Sequence, residues 1–485
     1  MLFNSYTYLL FLPVVFFIYY ISPKRLRWAF LLLSSYYFYM SWNVKYATIM
    51  FFSTVVTYIL PLFSAKSKSQ RVRKLMLVSN IIINLFILFM FKYFNFTSQL
   101  ISDIAGLFMF SVIPLRFNHL LPIGISFYTF QALSYSIDVY MGKAEPVKHF
   151  GKYALFVSFF PTLLAGPIQR ITRLFTQLEE AKRPDAENIK YGLSLILWGL
   201  FKKIVIADRL SVLVNTVYNK PTDYNGMEIL IATIFFTFQI YCDFSGYSDM
   251  AIGSAQVLGF DLLENFNHPY LAKSVTEFWK RWHISLTSWF RDYLYIPLGG
   301  NRRHHLINIL IVFGVSGLWH GASLTFIIWG LLNGIYQISE KLMAPHSKKA
   351  FEMLKINTET ITYRVFKTFI TTVLVGFSWI FFRANNLNDL GVVLDKLFRF
   401  DYFNAVSFGR VYALGLNEGN VIFAVISIAF LLAAELLEER RSVYHKLQSE
   451  PFLTKTFAYI ILVLVIMVFG IYGDKQAAQF IYFKF

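Results

Sequence analysis

LINILIVFGVSGLWHGASLTFIIWGLLNGIYQIS, residues Leu306 to Ser339, runs for 34 residues without an aspartate, glutamate, lysine or arginine. An uncharged apolar stretch of 18 or more residues is long enough to cross a lipid bilayer as a helix. Similar runs flank it along the whole chain: Leu9–Tyr20, Trp28–Trp42, Ala47–Phe63, Leu75–Met90, Leu121–Met141, Tyr153–Ile168, Tyr191–Ile206, Ile229–Tyr241, Val365–Phe382, Val421–Leu432 and Phe457–Tyr472. The pattern predicts an all-α polytopic membrane protein. Composition points the same way. Of 485 residues, 56% are hydrophobic and only 15% charged, against about a quarter charged in soluble domains. A disordered chain, a collagen-like chain and an ordinary cytosolic enzyme are thereby excluded.

The formal charge is +17. The basic residues fall in short breaks between apolar runs, as in loops retained on the cytoplasmic side, so nucleic acid is not the expected partner. Lys24, Arg25 and Arg27 follow the first run, and Lys66, Lys68, Arg71, Arg73 and Lys74 follow the third. That alternation places the N-terminus outside the cell. Several runs are interrupted, at Pro122 with Gly124, Pro161 with Gly166, and Asp243 with Gly246. Irregular backbone at membrane depth survives only where protein or a water-filled cavity surrounds it. Such breaks suggest re-entrant segments around a central cavity. No internal repeat or linker divides the chain, so a single integral domain over 1–485 is expected. The single cysteine, Cys242, rules out an internal disulfide and a multi-cysteine metal site, and no metal is expected.

His320 lies inside the uncharged run, where a charged imidazole costs about 2.5 kcal/mol or more. It is either a neutral ring bonding neighbouring helices or a base in a dry pocket. Burial lowers a histidine pKa, leaving a ring able to accept a proton from a hydroxyl. Gly317 and Gly321 around it would let a substrate approach the backbone closely.

In Phe278 to Arg303, Trp279, Trp282, Leu286, Phe290 and Leu294 recur at steps of three or four. This spacing predicts one amphipathic helix at the cytoplasmic face. Lys280, Arg281 and Arg291 beside the stripe are either its solvated edge or an attractor for a phosphate-bearing donor. His283 is a second acid/base or an orienting group there, or else a surface residue. The polar run around Asp243 and Asp249 lines a tunnel or supplies interhelical hydrogen bonds. P-loop, dinucleotide, G-x-S-x-G and H-E-x-x-H motifs are absent, which disfavours ATP hydrolysis, hydride transfer and serine hydrolysis.

Leu318-Trp319-His320-Gly321 within an apolar run resembles the membrane-bound O-acyltransferase family. The run Phe278-Trp279-Lys280-Arg281-Trp282-His283-Ile284-Ser285, then Trp289 to Gly300, narrows the likeness. So do Leu121 to Gln131, Ala165-Gly166-Pro167-Ile168 and Asn265-Phe266-Asn267. Together they resemble the bacterial branch of alginate and peptidoglycan O-acetyltransferases, which also holds the teichoic acid D-alanyl transfer protein. Gly376 to Ala384 favours the O-acetyltransferase side. The core motifs occupy roughly residues 115–340, and 341–485 reads as a C-terminal extension.

This resemblance implies about eleven spans plus re-entrant helices around a central funnel, in the bacterial inner membrane. It implies His320 as the essential histidine and His283 as its companion. Trp319, Trp279, Trp282, Asn265 and Asp243, with Lys280, Arg281 and Arg291, become the substrate-binding candidates. No permanently bound cofactor is implied. The implied donor is cytosolic acetyl-CoA, the acceptor an exported or cell-wall polysaccharide, and the partner an extracytoplasmic esterase-like protein of the SGNH type. Phe480 to Phe485 is similar to the C-terminal aromatic motif of the small D-alanylation partner, so Tyr482 is a candidate acyl relay or an interfacial anchor. Two other expectations stay open: transfer of a D-alanyl or other acyl group, and a polysaccharide or lipid-intermediate transporter with the same broken helices. A scaffold that only recruits the modifying enzyme is a third.

Overall fold

The uncharged run from Leu306 to Ser339 folds as two helices, His305–His320 and Leu324–Met353. The first ends at Gly321, whose backbone is extended, and Ser323 caps the second by accepting a hydrogen bond from the Thr325 N–H. The pair packs as a tight hairpin on two glycines. A Cβ on Gly317 would stand 2.2 Å from the Phe326 carbonyl oxygen, and one on Gly330 2.2 Å from that of Phe313. A Cβ on Gly321 would enter the Phe326 ring. The glycines around His320, read from the sequence as room for substrate, instead admit the next helix.

The computed structural model describes residues 1–180, 182–399, 412, 414–440, 442–472 and 480–481. Among the described residues all regular structure is helical. Six helices are long and apolar enough to cross a membrane: Val44–Lys66, Gln70–Leu107, Gly226–Val257, Ile361–Arg383, Glu418–Glu439 and Phe452–Phe469. Tyr6–Ile21 and His305–His320 are shorter apolar helices. The chain is a multi-pass membrane protein.

It divides into two compact units. The first comprises Met1–Ile196 and Met250–Glu264. Its core includes the rings of Phe3, Tyr8, Phe11, Phe38 and Phe160, with neighbouring centroids 4.8–5.8 Å apart. A buried polar chain ties three of its helices: Ser53 donates to Asn84, Asn84 to Asn80, and Asn80 to Ser136. Such hydrogen bonds hold helices together where lipid removes the hydrophobic drive.

The second unit comprises Leu197–Asp249 and Asn265–Phe485. It holds every described candidate site residue. Two sequence expectations change here. The break at Asp243 and Gly246 does not occur: Gly226–Val257 is continuous, because Asp243 is paired with Lys203 and Gly246 lets the Gly199 carbonyl come within 2.7 Å of where a Cβ would stand. The amphipathic helix over Phe278–Arg303 is also not continuous. It divides into Val275–Arg281, Ile284–Phe290 and a wider π turn, Arg291–Tyr295. Trp279, Trp282, Leu286 and Phe290 are buried in protein and do not form a face laid on lipid.

Candidate active site

The break falls at His283. Ser274 caps Val275–Arg281 through the Glu277 N–H, and the carboxylate of Glu340 accepts from the Val275 and Thr276 N–H groups. The helix stops at Trp282, and His283 takes left-handed backbone, φ 46° and ψ 50°. A non-glycine residue there costs on the order of 1–3 kcal/mol and persists only where its surroundings enforce it. Here they do. The Asn267 N–H donates to the Arg281 carbonyl and the Ile284 N–H to the Asn265 carbonyl, both at 2.9 Å, bracketing the two residues between. The Asn265 side chain adds a second lock. Its Oδ1 accepts from the Ser285 hydroxyl at 2.9 Å, and its Nδ2 donates to Ser248 Oγ at 3.0 Å. Asn265, expected at the substrate, holds the histidine's turn.

His320 is held differently, as the last residue of His305–His320. Its ring lies 5.0 Å edge-on from both Trp319 and Trp329 and 5.6 Å from Phe382. The His283 ring is 6.3 Å away, with Trp319 beside both. His283 and His320 are 1% and 2% exposed, so both rings are dry. Burial pushes the His283 imidazole down to about 3, leaving it neutral at physiological pH.

Around the pair stand Trp279, Trp282, Trp329 and Trp379. Trp329 and Trp379 are stacked at 5.6 Å, and Trp379 donates from Nε1 to the Tyr270 hydroxyl. Trp329, Trp379 and Phe382 escaped the sequence reading as site residues. Trp379 and Phe382 lay inside the Gly376–Ala384 motif without an assigned role, and Trp329 sits nine residues beyond His320, on the return helix.

One cavity of about 1440 Å³ opens beside this cluster. His283, Trp279 and Ser316 line it, as do Lys280, Arg291, Lys341, Lys348, Lys355 and Lys367. Its carboxylates are those of Glu340, engaged as above, and Glu352. The wall thus combines aromatic and aliphatic side chains with six basic ones. Arg281, expected among the donor contacts, is bound by Glu277 and Glu439 at 2.8 and 2.9 Å. Arg291 pairs with Asp292. Asp243 contacts Lys203 and the Ile481 N–H. Tyr482 lies outside the described residues.

Comparison with known proteins gives the family. The model of the membrane-bound O-acyltransferase family matches residues 147–378. The chain is 37% identical over 436 residues to a Pseudomonas aeruginosa protein named "Probable alginate O-acetylase", covering 89% of this chain and 81% of that one. It is 35% identical to the peptidoglycan O-acetyltransferase of Helicobacter pylori, over 81% and 79% of the two chains. It is 27% identical to the teichoic acid D-alanyltransferase of Bacillus subtilis, over 57% and 75%. The chain belongs to the membrane-bound O-acyltransferase family.

Proposed function

We propose that this protein takes an acetyl group from cytosolic acetyl-CoA and passes it across the membrane for O-acetylation of an exported or cell-wall polysaccharide. The observation that carries the reading is the buried His283–His320 pair, with ring centroids 6.3 Å apart and His283 in the wall of a cavity that aromatic residues and five lysines line. Acetyl-CoA has matching polarity: phosphates at one end, a neutral thioester at the other. The relatives named as alginate and peptidoglycan O-acetyltransferases support an acetyl group and a polysaccharide acceptor.

In this scheme His320 accepts the proton of the attacking hydroxyl. The hydroxyl oxygen bonds to the thioester carbonyl carbon, the carbon–sulfur bond breaks, and the CoA thiolate takes the proton back from the imidazolium. His283, neutral at the cavity wall, orients the thioester end. Tyr482 is the proposed first acceptor. Its phenol has an ordinary pKa of about 10 and needs such a base. An SGNH-type partner outside the membrane would then move the acetyl group to the polymer. Lys280, Lys341 and Lys348 are proposed to meet the donor's phosphates; Arg281, already held by two glutamates, is not.

The test is His320→Ala at matched protein level, read as O-acetyl content of the exported polymer and as CoA release by purified protein with acetyl-CoA. Loss of both is expected. Full acetylation in the variant overturns the assignment, and wild-type protein that never releases CoA favours transport.

A further inference from the structure

The second unit buries a group of charges that acyl transfer does not use. Lys202 and Lys203 are consecutive on a π turn, Phe201–Ala207, and both side chains are buried. Lys202 pairs with Asp249 at 2.6 Å. Lys203 Nζ lies 2.7 Å from Asp208 and 2.6 Å from Asp243. One ammonium thus faces two carboxylates. Charges at this depth mark function more often than stability, because burying them is costly.

What the second carboxylate does is visible. Asp243 Oδ2 accepts the backbone N–H of Ile481 at 2.7 Å, a charge-assisted bond in a fully buried place. Next to it, Phe480 stacks on Tyr247 at 4.5 Å and meets Phe244 edge-on at 5.8 Å. Phe244 in turn lies 4.6 Å from the His283 ring. The same π turn and the helix after it also hold the chain where it leaves Phe452–Phe469. The Ile471 N–H donates to the Ile204 carbonyl at 3.0 Å, and Arg209 donates to the Phe469 carbonyl at 2.8 Å.

We infer that Lys203, Asp208 and Asp243 form a buried clamp that seats Phe480–Ile481 one aromatic ring away from His283. Asp243 grips the backbone, so the clamp reads no side chain at position 481. Lys203 aims the Asp243 carboxylate, and Asp208 fixes Lys203. These are positioning residues. Only the catalytic consequence of the clamp rests on the proposed relay through Tyr482.

The test uses full-length protein with Ile481→Cys as reporter in a Cys242→Ala background, labelled with N-ethylmaleimide. The parent reporter should label slowly. Asp243→Ala leaves Lys203 and Asp208 as a balanced pair and should speed labelling about tenfold, the equilibrium worth of one lost charge-assisted hydrogen bond. Asp243→Asn keeps an oxygen acceptor and should fall between. Phe480→Ala, outside the ion cluster, should also speed it. Should Asp243→Ala not purify as a monodisperse species, Asp243→Leu, which keeps the branched shape and removes the acceptor, reads the same quantity. Unchanged labelling in the Asp243 variant and in Phe480→Ala overturns the clamp. Faster labelling with undiminished polymer acetylation keeps the clamp and removes the relay.

Discussion

His283 and His320 lie 6.3 Å apart, and the chain holds them by opposite means. His320 ends a regular helix and is fixed by packing: two tryptophans and a phenylalanine close round its ring. His283 occupies strained left-handed backbone between two short helices and is fixed by the hydrogen bonds its chain neighbours make with Asn265 and Asn267. Packing places a ring to within the tolerance of its neighbours and survives small losses. A strained turn places it more narrowly but depends on each bond that enforces it. The division suits the proposed scheme, in which His320 performs proton transfer and His283 orients a carbonyl at the cavity wall.

The largest effect should come from the packed histidine. His320→Ala is expected to lower CoA release by a hundredfold or more, within the range of about 10²–10⁴ for loss of a general base. Its fold should persist, because aromatic neighbours can close part of the space. His283→Asn sharpens the contrast. Asparagine tolerates left-handed backbone, so the turn should form without the imidazole. Activity should fall less than in His320→Ala; an equal fall would show that the two rings share one proton-transfer task.

Next in size is the lock on the strained turn. Asn265→Ala removes the side-chain bonds to Ser248 and Ser285, leaving buried partners unsatisfied at about 1–3 kcal/mol. Turnover should drop roughly tenfold with KM for acetyl-CoA little changed, since the lysines of the cavity are untouched. Asn265→Asp, which keeps the acceptor toward Ser285, should recover part of it. A change confined to KM would place Asn265 at the substrate after all.

The same contrast marks what the sequence made legible. Apolar runs are strong signals, so the helical membrane architecture could be read directly, and His320 stood out because an ionisable group in an uncharged run is costly. Trp279 and Trp282 were visible as a stripe, but helical periodicity cannot register a residue that turns left-handed. The break at His283, and with it the burial of the stripe, depends on Asn265 and Asn267, which precede it by many residues. Asp243 failed in the opposite sense. A carboxylate in an apolar run looks like a break, yet a lysine 40 residues earlier pairs with it and the helix continues. Charge pairing across helices is invisible to a reading made along one of them.

Acidification tests the burial of the His283 ring through stability. The buried His283 imidazole titrates at about 3 when folded, against about 6.5 in an unfolded chain. Between those values the unfolded chain binds the extra proton. This contribution is thus fully present above pH 6.5 and is lost as the pH falls toward 3. By pH 5 the loss amounts to about 2 kcal/mol. Thermal unfolding of purified protein, followed by tryptophan fluorescence at pH 7.5 and 5.0, should show a smaller drop in Tm for His283→Asn than for wild type. Equal drops would mean that the turn admits water and that its ring is not dry.

The smallest expected effect lies at the exposed lysines of the cavity wall. Lys341 and Lys348 are exposed and seven residues apart on one helix, so they fall on the same face. In the proposed scheme each meets the donor through a screened charge, worth about 0–1 kcal/mol. Lys341→Glu with Lys348→Glu should raise KM for acetyl-CoA several-fold at low salt and leave kcat unchanged. Because the Debye length shrinks from about 10 Å at 0.1 M to 3 Å at 1 M salt, the difference from wild type should narrow as salt is added. The His283 and Asn265 variants, acting through buried contacts, should show no such narrowing. A salt-independent KM in the lysine pair would move the donor's phosphates to another part of the wall, with Lys355 and Lys367 the next cations to test.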